Sequence, residues 1–230
     1  MPDKKAVVTI DGPSGSGKST ISKLLASRLH YTYLDTGAMY RVVGLQVKRA
    51  GLDLDQETGR ARLPELLADI DLRLAPPADK GGETRAFLGG EDVSDLIRTP
   101  EMSMVASRVS AEPAIREKLT EMQRKMGREG GVVAEGRDTG TVVFPGAEYK
   151  FFLDASPEER TRRRCEQLRE RGQDVDFQEI LEQIRKRDKD DSSRSLAPLT
   201  AAGDAIIIDS SAIGINEVVD FMMSRIRPSR

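Results

Sequence analysis

The sequence predicts an α/β fold in which a parallel sheet is flanked by helices. Short apolar runs alternate with helical periodicity along most of the chain, the pattern of repeated β-α units. One such run, Ala6–Ile10, leads straight into a glycine- and serine-rich loop, Gly12–Thr20, and the loop into an amphipathic segment. The end of the sequence is a clean amphipathic helix: Ile215, Val218, Val219, Met222, Met223 and Ile226 share one face.

Each element follows from its own residues. Ala6–Ile10 reads as a buried strand. Ile21, Leu24, Leu25 and Leu29 mark a first helix, and Met39, Val42, Val43 and Val47 a second. Leu72–Leu74 and Arg85–Leu88 alternate as short strands joined by the turn-rich Pro76–Glu83, which predicts a small antiparallel β insertion outside the parallel core. A helix is expected from about Pro113, with Ser110 or Glu112 near its cap and Ile115, Leu119, Met122 and Met126 on its apolar face. Further strands are expected at Val132–Ala134, Tyr149–Leu153 and Ala205–Ile208. Ser156-Pro157-Glu158-Glu159 has the form of a capping box with proline at the first helical position, and Gly172 is a natural stop. Between them lie Arg160, Arg162, Arg163, Arg164, Arg169 and Arg171, with only Cys165 and Leu168 apolar. A helix polar all round does not pack into a core, so this one is expected to cross solvent or cover something charged.

Composition narrows the function. The 230 residues suit one large domain with insertions, or a core plus small mobile subdomains. With 38% hydrophobic and 32% charged residues, a core can form beneath a heavily charged surface. A formal net charge of −2 argues against a dedicated nucleic-acid binder. One cysteine, Cys165, excludes a disulfide framework within the chain and points to a reducing compartment. No secretory leader and no apolar run of membrane-spanning length is present, so a cytoplasmic protein is expected. A single histidine, His30, gives little support to histidine-rich metal sites or Ser-His-Asp hydrolysis.

The chemistry-bearing motifs are phosphate sites. Gly12-Pro13-Ser14-Gly15-Ser16-Gly17-Lys18-Ser19-Thr20 is a P-loop. Glycines let successive backbone N–H groups point into one concavity, and the following helix turns its positive end toward it. Lys18 adds a point charge for the β- and γ-phosphates, and Ser19 a hydroxyl for Mg²⁺. The alternative, a glycine-rich turn with a chance lysine, leaves the flanking strand and helix unexplained. In Leu34–Arg41, Thr36 can cap a helix and Arg41 can grip a phosphate through two N–H groups; an ordinary corner with a surface arginine is the competing reading. Glu135-Gly136-Arg137-Asp138 puts an acid at the end of a strand, where P-loop enzymes keep the carboxylate that orders Mg²⁺ and its waters. The competing reading is a turn in which Arg137 and Asp138 pair. Arg185–Arg194 reads by default as a solvated helix with pairs such as Arg187 with Asp191.

GPSGSGKST at 12–20, LDTGAMYR at 34–41, GEDVS and IRT at 90–99, GRD within EGRDTGTVVFP at 135–145 and RKRDKDDSSR at 185–194 together resemble the bacterial cytidylate kinases. The resemblance runs from about Val7 to Asp209. It implies a P-loop kinase core at about 1–35, 130–155 and 173–230. It also implies a nucleoside-monophosphate-binding subdomain at about 36–129, with its β insertion at about 63–94, and a helical lid at about 156–172. The implied reaction moves the γ-phosphoryl group of ATP, with Mg²⁺, to CMP or dCMP. By the same resemblance, Thr36, Arg41 and Arg137 hold the CMP phosphate. Ser107, Arg116 and Asp138 read cytosine with Arg194 nearby, and Arg187 and Asp191 hold the ribose. Lys18, Arg137 and the lid residues Arg163 and Arg164 stabilise the transferring group, and Ser19 and Glu135 serve the metal, Glu135 through water. Glu135 stands where the family more often has Asp, and Thr36 where it often has Ser. The expected partners are ATP and CMP or dCMP, with no nucleic acid and no membrane, and the expected state is a monomer.

Three other readings compete. A P-loop kinase for another acceptor, such as UMP or AMP, shares most of these features. A nucleotide-dependent switch is disfavoured because no N-K-x-D guanine motif occurs. An RNA-binding module using the basic lid lacks aromatic residues on which bases would stack.

Overall fold

The computed structural model describes residues 5–77, 82–170 and 172–226. In chain order the elements are β1 (Val7–Asp11), α1 (Lys18–Leu29), β2 (Thr32–Asp35), α2 (Thr36–Arg49), α3 (Glu57–Ala61), α4 (Leu63–Ala68), β3 (Leu72–Ala75), β4 (Arg85–Leu88) and β5 (Glu91–Asp92). They continue with α5 (Pro100–Val109), α6 (Pro113–Met126), β6 (Val132–Gly136), β7 (Tyr149–Asp154), α7 (Pro157–Glu170), α8 (Phe177–Ser192), β8 (Ile206–Asp209) and α9 (Ile215–Arg225). The chain divides into two compact units, Met1–Leu34 with Arg124–Arg230, and Asp35–Gln123.

The first unit is built on a five-stranded sheet, among the described residues, in the order β2-β6-β1-β7-β8. β1 runs parallel to both β6 and β7, and β7 parallel to β8. Strands covered on both faces read as continuous apolar runs, and β1 and β6 are buried along their whole length. Val8, Ile10, Val133, Phe151 and Leu153 of the sheet pack with Ile21 and Leu25 of α1 and with Val218, Val219 and Met222 of α9. His30 ends α1 in the left-handed conformation (φ 55°).

The arginine-rich segment departs from expectation. α7 packs against α8, burying Arg160, Thr161, Cys165 and Leu168 while α8 buries Leu181, Ile184 and Asp191. Thr161, Cys165 and Leu168 make a narrow i, i+4, i+7 stripe that suffices for one helix contact. The capping box is half formed. Glu159 N–H donates to Ser156 Oγ at 3.2 Å, but Ser156 N–H goes to Ser211 Oγ, and the Glu159 carboxylate accepts from Arg162 and Arg163 instead.

In the second unit, α2 buries Met39, Val42, Val43 and Val47 and packs on α5. β3, β4 and β5 form a small antiparallel sheet, pairing Leu72 with Leu88 and Phe87 with Asp92. The insertion expected to start at about residue 63 opens with a helix, since Leu63 and Leu67 bury one face behind Pro64. The expected turn at Pro76–Glu83 includes residues 78–81, which lie outside the described residues, as does Arg171. Met126 is exposed; α6 buries Ile115, Arg116, Leu119 and Gln123. Asp35, and not Thr36, caps α2, its carboxylate accepting from Ala38 N–H at 2.8 Å.

Candidate functional site

The phosphate cradle forms where β1 runs out. Gly12 adopts φ +148°, and a Cβ there would lie 2.0 Å from the Leu153 carbonyl oxygen, so only glycine fits. Gly15 and Gly17 also have positive φ, and the loop hands over to α1 at Lys18. Lys18 curls back over the loop: its ammonium donates to Pro13 O at 2.5 Å and to Ser16 Oγ at 3.3 Å. Burial, then Arg137 and Arg187, push its pKa down to about 7, against the opposing pull of Glu135 and Asp11.

Beside the loop, Ser19 Oγ donates to Glu135 Oε1 at 2.8 Å, and Tyr33 donates to Glu135 Oε2 at 2.5 Å. Among the described residues no group of three or more His, Cys, Asp or Glu gathers to cage a metal ion. One hydroxyl with one carboxylate beside it, both hard oxygen donors, suits a Mg²⁺ that would be bound mainly through nucleotide phosphates and water.

Asp11 closes β1 as a buried acid. Its carboxylate accepts from Thr139 N–H at 2.9 Å, Thr139 Oγ1 at 2.8 Å and Gly140 N–H at 2.7 Å. Burial raises its pKa to about 6, although the Gly140 and Thr139 hydrogen bonds resist that rise. These bonds pin a single π-helical turn, Thr139–Val143, in which Val143 N–H bonds to Asp138 O at 3.2 Å and Phe144 N–H to Thr139 O at 2.7 Å. The turn fixes the backbone of Asp138, itself buried.

Arginines gather on the same unit. Arg137 Nε donates to Asp191 Oδ2 at 3.0 Å, and Arg194 donates to Asp191 Oδ1. Arg187 Nη1 donates to Ser14 Oγ at 3.4 Å. Burial disfavours the Asp191 anion, but Arg137, Arg194 and Arg187 outweigh it and hold this carboxyl below its ordinary value. The default reading of 185–194 is thereby corrected: Arg137 pairs with Asp191, whose side chain is 1% exposed and not part of a solvated face.

Among the described lid arginines, the deepest is Arg160, to which the sequence reading gave no role of its own. Its Nε donates to Ala155 O at 2.9 Å, its Nη1 to Ser14 O at 3.2 Å, and its two Nη atoms to the Asp188 carboxylate at 3.0 and 2.6 Å. Arg163 is bound to Glu159 at 2.8 Å and to Ser210 O at 2.6 Å, and Arg164 is half-buried in the next position of α7. A cavity of about 520 Å³ lies at the carboxyl ends of β7 and β8, lined by Pro13, Asp154, Ser156, Arg160, Asp188 and Ser211 among others. Asp11 could have been found as an acid inside an apolar run, which must be satisfied once buried. Tyr33 carries no comparable sequence signal.

The remaining expected residues lie in the second unit. Asp35 accepts from Arg41 Nη2 at 3.4 Å, while Arg41 Nε is buried with no hydrogen-bond partner. Thr36, in the first turn of α2, is buried. Arg116 Nη1 donates to Tyr40 Oη at 3.0 Å and to Ser110 O at 3.3 Å, its guanidinium standing 5.7 Å over the Tyr40 ring. Ser107 is half-buried in α5, and its carbonyl accepts from Ser110 Oγ at 2.7 Å.

Residues 8–228 match the cytidylate kinase family. A cytidylate kinase of Syntrophotalea carbinolica is 48% identical over 221 residues, covering 96% of this chain and 92% of that protein. One from Geobacter sulfurreducens is 50% identical over 221 residues with the same coverage. The fold is shared with a crystal structure of an uncharacterized protein from Eubacterium ventriosum, at a TM-score of 0.53 and 14% identity, covering 98% of this chain and 100% of that one. Among the described residues no helix is long and apolar enough to cross a membrane.

Proposed function

Because this chain belongs to the cytidylate kinase family, we propose that it transfers the γ-phosphoryl group of ATP to CMP or dCMP, giving ADP and CDP or dCDP. The observation that carries this reading is the meeting of the P-loop with Arg137, Arg187 and Arg194 around Asp191. A glycine-lined nest and a cluster of guanidinium groups in one unit suit polyphosphate chemistry.

In this reading the backbone N–H groups of 12–20 and the Lys18 ammonium take the phosphates of ATP. The cavity beside Pro13 and Arg160 has room for the nucleoside end of the donor. Ser19, and Glu135 through water, would hold Mg²⁺, which when bound would neutralise charge on the β- and γ-phosphate oxygens. The acceptor phosphate is already anionic, so no general base is required, and catalysis is positioning plus charge stabilisation. Arg137 supplies positive charge to the transferring group, with Arg163 and Arg164 of the lid.

The residues assigned to the acceptor fall in both units. Thr36 and Arg41 bind its phosphate with Arg137. Ser107 and Arg116 donate to cytosine, Asp138 accepts from the cytosine amino group, and Arg194 stands by the base. Arg187 and Asp191 hold the ribose. Uracil and thymine present a carbonyl where cytosine has its amine, so a buried acid at 138 rejects them. A cytoplasmic location and a monomeric state belong to the same proposal.

ADP release measured with CMP, dCMP, UMP, AMP and dTMP as acceptors tests it. CMP or dCMP should give the highest kcat/KM. A preference for UMP or AMP reassigns the acceptor, and no release with any of the five refutes the reading.

A further inference from the structure

We propose that Tyr33 is a positioning residue for the metal carboxylate, its phenol fixing Glu135 so that the carboxylate stands against Ser19. The inference deepens the reading of Ser19 and Glu135 as the residues that serve the metal. Glu135 lies at the end of β6 and Tyr33 on β2, the neighbouring strand in the sheet. The two carboxylate oxygens have separate anchors: Oε1 accepts from Ser19 Oγ at 2.8 Å and Oε2 from the Tyr33 hydroxyl at 2.5 Å. A glutamate has one more rotatable bond than an aspartate, and on its own it would sample several carboxylate positions. Holding the outer oxygen selects one of them. A phenol suits the task, because a neutral O–H donating to a carboxylate is strong and brings no charge to compete with a cation.

Tyr33 itself is held. The Lys23 ammonium of α1 stands 6.0 Å over its ring, and the ring packs at the margin of the sheet's core. Tyr33 is half-buried and Glu135 is 9% exposed, so phenylalanine at 33 keeps the ring packing and removes only the hydroxyl. Outer partners of metal-binding carboxylates commonly change metal affinity by about tenfold or more.

The experiment is a double-mutant cycle read by Mn²⁺ binding. Electron paramagnetic resonance would follow Mn²⁺ titrated into full-length protein with a non-hydrolysable ATP analogue. Tyr33→Phe should weaken Mn²⁺ binding about tenfold and raise the Mg²⁺ concentration for half-maximal turnover, with the thermal midpoint unchanged. Glu135→Asp withdraws the carboxylate from the phenol, so adding Tyr33→Phe to it should cost nothing more. Wild-type Mn²⁺ affinity in Tyr33→Phe overturns the proposal, as does an equal loss from Tyr33→Phe in the wild-type and Glu135→Asp backgrounds. If Glu135→Gln leaves Mn²⁺ affinity untouched, Glu135 does not serve the metal and the premise itself is wrong.

Discussion

Lys18 sits where its own charge is disfavoured. Burial and the neighbouring Arg137 and Arg187 bring its pKa to about 7, so near neutrality a large fraction of the side chain is uncharged in the nucleotide-free protein. ATP delivers negative charge to this spot and raises that pKa. Binding should therefore take up close to one proton at pH 8 and almost none at pH 6, where Lys18 is already protonated. Calorimetry in buffers of different ionisation enthalpy measures the uptake. ATP affinity should accordingly weaken as pH rises through and above 7; an affinity flat from pH 6 to 9 contradicts the assignment. Lys18→Met should lower kcat by about a thousandfold while circular dichroism reports an intact fold. The position of Lys18 is legible in the sequence because glycine spacing is local information. Its curl onto Pro13 O is not, because that depends on how the loop closes.

At the scale of elements, the sequence reads well where periodicity is local. β1, α1, β6, β7 and α9 lie close to where their apolar patterns put them. It reads poorly where a buried polar side chain is satisfied by a distant partner. Arg160 and Asp188 come from different helices, and Tyr33 and Glu135 from strands far apart in sequence but adjacent in the sheet. No spacing rule announces such pairs. The consequence for α7 is testable. The Arg160 side chain is 3% exposed and that of Asp188 24%. Arg160→Ala strands the Asp188 carboxylate and empties a buried volume, and should cost about 3 kcal/mol in urea unfolding. Asp188→Asn, which keeps one acceptor oxygen near the guanidinium, should cost less. Equal stability of Arg160→Ala and wild type would mean that the Arg160–Asp188 pair does not hold α7 in place.

For the molecule as a whole, the family was legible, since the motifs that carry the resemblance lie within the residues that match it. The shortfall was in Asp11, Tyr33 and Arg160, the residues that hold other site residues in place. A ligand that binds only the folded state stabilises it by mass action, by about 2.7 kcal/mol at a hundredfold excess over Kd. For a chain of this size that is roughly a 5–10 °C rise in Tm. ATP with Mg²⁺ should produce such a shift in scanning fluorimetry, and Lys18→Met should remove most of it.

Cys165 is 2% exposed on α7, the helix that packs against α8. Because the chain has no other thiol, alkylating reagents have one target, and they reach it only when the two helices part. The rate at which the native protein gains mass in iodoacetamide is then a direct clock for that parting, readable without any engineered label.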